Sequence, residues 1–158
     1  MSKELAAAAL KACRTRGEKI VTAESCTGGM VSAYLTLVAG SSDVMERGFV
    51  TYSNAAKVEM LGVHAETIDE QGAVSEDVAA EMATGALAHS KADIAVSVTG
   101  IAGPGGSDHK PEGRVCFGLA TPEATVTYTV EFGALGRGKV RKKAAKFALR
   151  ALRDKTLN

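Results

Sequence analysis

Three short polar segments of the chain carry side chains able to do chemistry. The first, Glu24-Ser25-Cys26-Thr27-Gly28-Gly29, offers two hydroxyls and a thiol where a helical pattern begins. The start of a helix has unpaired backbone N–H groups and the positive end of the peptide dipoles, so this turn suits a nucleophile with an oxyanion beside it. Ser25 ranks first as that nucleophile. Cys26 either becomes a thiolate at the helix start or is a small buried thiol. The same turn is also explained if Ser25 or Thr27 only caps the helix and the glycines permit a tight bend.

The second segment, Tyr52-Ser53-Asn54-Ala55-Ala56-Lys57, puts a lysine in the first turns of a short helix. The dipole there disfavours an ammonium, and partial burial lowers its pKa further, so Lys57 is able to take a proton from a neighbouring hydroxyl. No histidine lies near any of these turns and the G-x-S-x-G elbow is absent, which leaves a Ser-Lys pair as the catalytic expectation. The alternative for Lys57 is a solvated surface lysine.

The third segment, Thr99-Gly100-Ile101-Ala102-Gly103-Pro104-Gly105-Gly106, opens a loop over 99–113 with five glycines and two prolines. Its backbone is able to approach a ligand and offer N–H groups to a phosphate or a carbonyl. It matches neither a G-x-G-x-x-G fingerprint nor a Walker loop, and a simple connection remains the other reading. From Arg137 to Asn158 there are nine bases and one acid, Asp154. Most belong to a solvated helix face, but Arg137 and Arg141 stand at the helix start, where cations are out of place unless they face an anion such as a phosphate.

The elements that must position these segments alternate. Residues 4–16 form an amphipathic helix stopped at Gly17, and residues 19–23 a short buried strand. A helix from Met30 to Gly40 follows, then a strand over 47–52 and a helix from Asn54 to Leu61 closed by Gly62. Ser75 caps a helix running to about residue 91, and residues 93–98 (DIAVSV) form the clearest buried strand. Two strands, 114–120 and 125–132, make a hairpin across TPEA, and the last helix turns Val140, Ala144, Phe147, Ala148, Ala151 and Leu152 inward. This order predicts a single α/β domain over 1–158, a three-layer α/β/α sandwich with a mixed, mostly parallel five-stranded sheet. In such sheets ligands bind beyond the carboxyl ends of the parallel strands, so the three polar segments should face one crevice.

Composition narrows the function classes. The 158 residues are 46% hydrophobic and 23% charged, with 19 Lys plus Arg against 18 Asp plus Glu, which suits one globular domain and not an overall basic nucleic-acid binder. A salt-sensitive binder using only the terminal basic helix is a third reading. Cys13, Cys26 and Cys116 lack C-x-x-C spacing, and no His/Cys/Asp/Glu grouping has metal-ligand spacing, so no metal is expected. The N-terminal apolar stretch is too short and polar for a signal peptide or a membrane span, and a cytoplasmic location is expected.

Taken together, TAESCTGG at 22–29, RGFVTYSNAAK at 47–57, GAVS at 72–75, VTGIAGPGG at 98–106 and KPEG at 110–113 resemble the CinA C-terminal domain family over nearly the whole chain. The resemblance implies hydrolysis of the carboxamide of nicotinamide mononucleotide to nicotinate mononucleotide and ammonia, without a cofactor. It implies Ser25 as nucleophile and Lys57 as its base, with Tyr52 and Asn54 orienting lysine or substrate. Thr27, Gly28 and the Thr99, Gly100 and Gly103 segment would bind an oxyanion or the ribose phosphate. Arg137 and Arg141 would grip that phosphate, although Leu135-Gly136-Arg137 replaces the family's usual Gly-Asp-Arg. Arg114 stands where a small or β-branched residue is usual. The expected partners are a small nucleotide substrate and a second copy in a homodimer, with no nucleic acid and no membrane. A non-catalytic nucleotide-binding or competence-associated module is the alternative.

Overall fold

The computed structural model describes residues 2–107 and 109–158; Met1 of the expected domain and Asp108 of the expected loop lie outside the described residues. The five strands are β1 (Ile20–Glu24), β2 (Met45–Val50), β3 (Ile94–Gly100), β4 (Arg114–Ala120) and β5 (Thr125–Glu131). They form one sheet in the order β2-β1-β3-β4-β5. β1 runs parallel to both neighbours, whereas β3 with β4 and β4 with β5 are antiparallel, so β4 alone opposes the other four.

Alternation along the strands divides the core. Ile20, Ile94, Val96 and Val98 point to one face, where α1 (Ser2–Arg16), α2 (Met30–Thr36) and α6 (Arg137–Asp154) cover them. Val21, Ala23 and Ala95 point to the other, beneath α3 (Asn54–Leu61), α4 (Ala65–Gln71) and α5 (Glu76–Ala88). The expected α/β/α sandwich is therefore the observed one. Alanines on α1 and α6 let those helices approach each other closely, and Phe117 fills the space beneath α6 with ring centroids 4.3 Å from Phe147 and 6.5 Å from Phe132. Because β1, β2 and β3 are parallel, their carboxyl ends release the three polar segments at one end of the sheet, as the element order predicts.

Several boundaries differ from the sequence reading. β2 ends at Val50, so Thr51 and Tyr52 lie outside the strand; Thr51 still donates its N–H to the Glu24 carbonyl at 2.9 Å. Thr99 and Gly100 close β3 rather than opening a loop. α2 stops at Thr36 and α5 at Ala88. The short helix α4 went unpredicted because it buries a single side chain, Ile68, and so leaves no apolar period to read. Arg114, the departure at the start of β4, is paired across the hairpin with Glu131 at 2.8 Å.

Two glycines set how tightly the layers close. A Cβ at Gly118 of β4 would lie 2.5 Å from the Ala79 carbonyl oxygen of α5. A Cβ at Gly85 of α5 would lie only 1.9 Å from the carbonyl oxygen of Leu61, the last residue of α3. Gly85→Ala must push the end of α3 away from α5 and disturb the seat of Lys57. The expected loss is about 1–3 kcal/mol in a urea melt, the usual range for overpacking a core, accompanied by a drop in any activity that uses Lys57. An unchanged melt would show that α3 does not rest on this contact.

Candidate active site

Ser25 is the first residue after β1, and its N–H donates to the Val98 carbonyl of β3 at 2.9 Å, which continues the sheet pairing by one residue. Lys57 sits one turn into α3, whose N-cap Ser53 accepts the Ala56 N–H at 3.0 Å. The side chain runs back beneath the cap and is 1% exposed. Its Nζ lies 3.0 Å from Ser25 Oγ, 3.1 Å from the Thr51 carbonyl and 3.1 Å from the Tyr52 carbonyl.

Those three partners satisfy the amine in either protonation state. Carbonyls only accept, whereas a hydroxyl either donates or accepts. Lys57 Nζ donates to Ser25 Oγ, whose own hydroxyl reaches the Tyr52 carbonyl at 3.4 Å; a neutral amine would keep both carbonyl bonds and turn its lone pair to that hydroxyl. Burial pushes the Lys57 pKa down from its usual value, which favours the neutral form. The surface-lysine alternative is excluded by burial. Cys26 is 5% exposed and its thiol is pushed up to about 12, chiefly by burial, so it stays protonated. Thr27 is wholly buried, and its hydroxyl has no hydrogen-bond partner among the described residues. Of the three candidates in the turn, Ser25 is the one held against the amine.

Glu24 fixes the turn from below. This fully buried carboxylate accepts the N–H groups of Gly29 (3.2 Å), Val31 (2.9 Å) and Ser32 (3.0 Å) and the Ser32 hydroxyl (2.9 Å). The donors at the start of α2, which the sequence offers to a ligand anion, are thus used inside the protein. Gly28, with φ 58°, gives its N–H to the Ser25 carbonyl at 3.0 Å. The N–H groups of Cys26 and Thr27 have no acceptor among the described residues and remain as the donors nearest Ser25. Arg141 holds the other side of the turn: its Nε and Nη2 donate to the carbonyls of Cys26 at 3.0 Å and Thr27 at 3.2 Å. Its observed partners are therefore this backbone.

A cleft of about 210 Å³ opens above the pair. Tyr52, Asn54 and Arg137 are its polar lining, and Ala73, Val74, Gly100 and Ala102 its small apolar lining. It continues into a trough of about 380 Å³ along Gly103 to Ser107. Arg137 is exposed between the two and donates to the Gly103 carbonyl and the Tyr52 hydroxyl, each at 2.8 Å. Thr99 lies at the floor, its hydroxyl given to the Ala73 carbonyl at 2.8 Å. Ser25, Lys57, Tyr52, Asn54, Thr99, Gly100, Gly103 and Arg137 are therefore together at one crevice, with Thr27, Gly28 and Arg141 in or behind the turn. The remaining bases of α6 are elsewhere: Lys139, Lys142, Lys143, Lys146 and Arg150 line a separate groove beside Phe132, and Arg153 pairs with Asp154.

Sequence reasoning missed Glu24 and the Ala73–Val74 wall. A readable signal exists for Glu24, since it is a carboxylate ending the strand IVTAE just ahead of a helix start. Among the described residues no group of three or more His, Cys, Asp or Glu is placed to hold a metal, and no helix is long and apolar enough to cross a membrane.

The sheet of this α/β/α protein brings a serine hydroxyl and a buried lysine to one crevice, an arrangement chemically able to support a nucleophile. The model of the CinA C-terminal domain matches residues 2–156, and the chain belongs to that family. It is 51% identical over 143 residues to the nicotinamide-nucleotide amidohydrolase PncC of Escherichia coli K12, covering 90% of this chain and 87% of that protein. The amidohydrolase PncC of Enterobacter agglomerans is 52% identical over 149 residues, 93% of this chain and 89% of that protein. A crystal structure of a CinA superfamily protein from Klebsiella pneumoniae 700603 superposes with a TM-score of 0.94 at 38% identity, covering 98% of this chain and 97% of that one.

The depressed Lys57 pKa has a consequence for stability with a definite sign. Between its folded value and about 10.4 in the unfolded chain, the unfolded state binds the extra proton, so raising the pH stabilises the fold. Wild type should gain stability relative to Lys57→Met as the pH rises toward about 10.4 and gain nothing above it. Urea melts of both proteins across that range measure this, and a constant difference would mean that the buried amine is charged.

Proposed function

We propose that the chain is an amidohydrolase that converts nicotinamide mononucleotide to nicotinate mononucleotide and ammonia, with Ser25 as nucleophile and Lys57 as general base and acid. One observation carries this reading: the buried Lys57 Nζ at 3.0 Å from Ser25 Oγ, with its other two hydrogen bonds taken by carbonyls. The names of the two PncC relatives, each about half identical over nine-tenths of the chain, support the substrate.

Lys57 takes the Ser25 proton as Oγ bonds to the carboxamide carbon, and the carbonyl oxygen becomes an oxyanion near the backbone N–H of Cys26, which lines the cleft. The Lys57 ammonium then protonates the departing nitrogen, which leaves as ammonia with cleavage of the C–N bond. Water attacks the resulting ester, giving one proton to Lys57, and the proton passes to Ser25 Oγ as the acid is released. Arg137 is the exposed cation at the cleft mouth and is placed to meet the phosphate, with the Gly100 to Gly103 backbone beside it. Tyr52 orients Arg137 through its hydroxyl, and Asn54 lies on the substrate's path. The same reading includes a homodimer, measured by sedimentation equilibrium, in a reducing cytoplasm, in keeping with three free, buried cysteines.

Purified wild type should release ammonia from nicotinamide mononucleotide with no metal added, and Lys57→Met should lower kcat by about 10²–10⁴-fold, the usual worth of a positioned general base. Ser25→Ala should leave no burst of acyl-enzyme. A folded wild type that binds the nucleotide and releases no ammonia would overturn the enzyme reading in favour of a binding module. The amine must be neutral to act, so kcat/KM should climb with pH to a plateau that begins below pH 10.5, the ordinary lysine value. A climb continuing past that pH would remove Lys57 as the base.

A further inference from the structure

Two of the motifs, GAVS at 72–75 and KPEG at 110–113, carry none of the chemistry described above, yet they meet at the cleft. Residues 72–75 connect α4 to α5, and Ala73 and Val74 form one wall of both the cleft and the trough. The wall belongs to no helix or strand. Its carbonyls are held by side chains: Gly72 by the Ser75 hydroxyl at 2.9 Å, Ala73 by the Thr99 hydroxyl at 2.8 Å, and Val74 by the Lys110 ammonium. The same ammonium reaches the Gln71 carbonyl at 2.6 Å.

The other wall of irregular backbone is the glycine segment. Glu112 accepts the Gly105 N–H and lies so close beneath Gly103 that a Cβ there would come within 2.5 Å of its carboxyl carbon. The turn bearing both side chains is anchored at each end. Ser107 and Lys110 exchange backbone hydrogen bonds at 3.0 and 2.8 Å, and the Gly113 N–H donates to the Ile101 carbonyl at 2.7 Å. Pro111 fixes φ between the two charged residues, and their side chains reach different segments, Lys110 the 71–74 carbonyls and Glu112 the Gly105 N–H.

We propose that this turn is a clamp that sets the width of the cleft, with Lys110 and Glu112 as positioning residues for substrate binding. Neither belongs to the Ser25–Lys57 pair. Each fixes a piece of irregular backbone that lines the cleft, and the two ends of one short turn hold the two walls at a constant separation. The slot between them has small, uncharged faces at Ala73, Val74, Gly100 and Ala102, a shape suited to a planar heteroaromatic ring. The inference rests on the amidohydrolase reading only for the identity of that ring.

The test joins hydrogen exchange on the full chain to steady-state kinetics with nicotinamide mononucleotide. Lys110→Met should speed exchange of the amides at 72–75, and Glu112→Gln that of Gly103, Gly105 and Gly106. Each variant should raise KM by roughly tenfold while kcat stays within about threefold and the pH profile does not move. Lys110→Arg, which keeps a cationic donor, should restore most of the KM. Unchanged exchange at both walls overturns the clamp, and faster exchange with unchanged KM overturns its role in binding. Should Lys110→Met fail to fold, Glu112→Gln decides the same two questions. A wild type that releases no ammonia defeats the amidohydrolase reading alone, since the exchange result judges the clamp independently.

Discussion

Lys57 is removed from water by α3 and the strand ends around it, and an amine in that position is tolerated only if its hydrogen-bonding capacity is met without a counter-charge. The carbonyls of Thr51 and Tyr52 supply two acceptors because the chain leaves β2 before them and turns into α3. The Ser25 hydroxyl supplies the third partner. The hydrogen bonds that make the buried amine tolerable are therefore the same ones that hold it against the Ser25 hydroxyl, and burial lowers its pKa there. Gly85 belongs to the same constraint, since α3 seats against α5 only by resting its last carbonyl on a residue without a side chain.

The serine needs an equally fixed turn. Glu24 ties the start of α2 to the end of β1 through three N–H groups and a hydroxyl, while Arg141 crosses from α6 to hold the carbonyls of Cys26 and Thr27. Both charged groups act on backbone. A carboxylate at a helix start is favoured by the dipole, whereas a guanidinium at the start of α6 is not, and the two carbonyls it grips offset that disadvantage. The turn is thereby restrained from two layers of the sandwich, and the hydroxyl has little freedom to leave the amine.

The cleft itself is made of irregular backbone, which is why side chains rather than ladder hydrogen bonds support it. Thr99 and Lys110 hold one wall and Glu112 the other, and Arg137 bridges the glycine segment to Tyr52. Rigid strands deliver the reacting groups, and tethered loops shape the space above them.

Periodicity alone yielded the strand–helix alternation, the hairpin and the terminal helix, because buried strands such as IAVSVTG and the inner stripe of α6 are read from local spacing. Residue chemistry likewise placed Ser25 and Lys57 in turns at strand ends, where a parallel sheet gathers ligands. The short helix α4 was not legible, since one buried side chain makes no period. Nor were the roles of Glu24 and Arg141: a charge at a helix start reads equally as ligand-facing or backbone-facing, and only the position of residues 115 apart in the chain decides which. The sequence by itself determined which groups are chemically able to act and the layers that carry them. The tertiary structure decided which of those groups are buried, and so which are neutral, which are already satisfied by the protein and which remain free for a ligand, because desolvation and hydrogen bonding are set by neighbours distant in the chain.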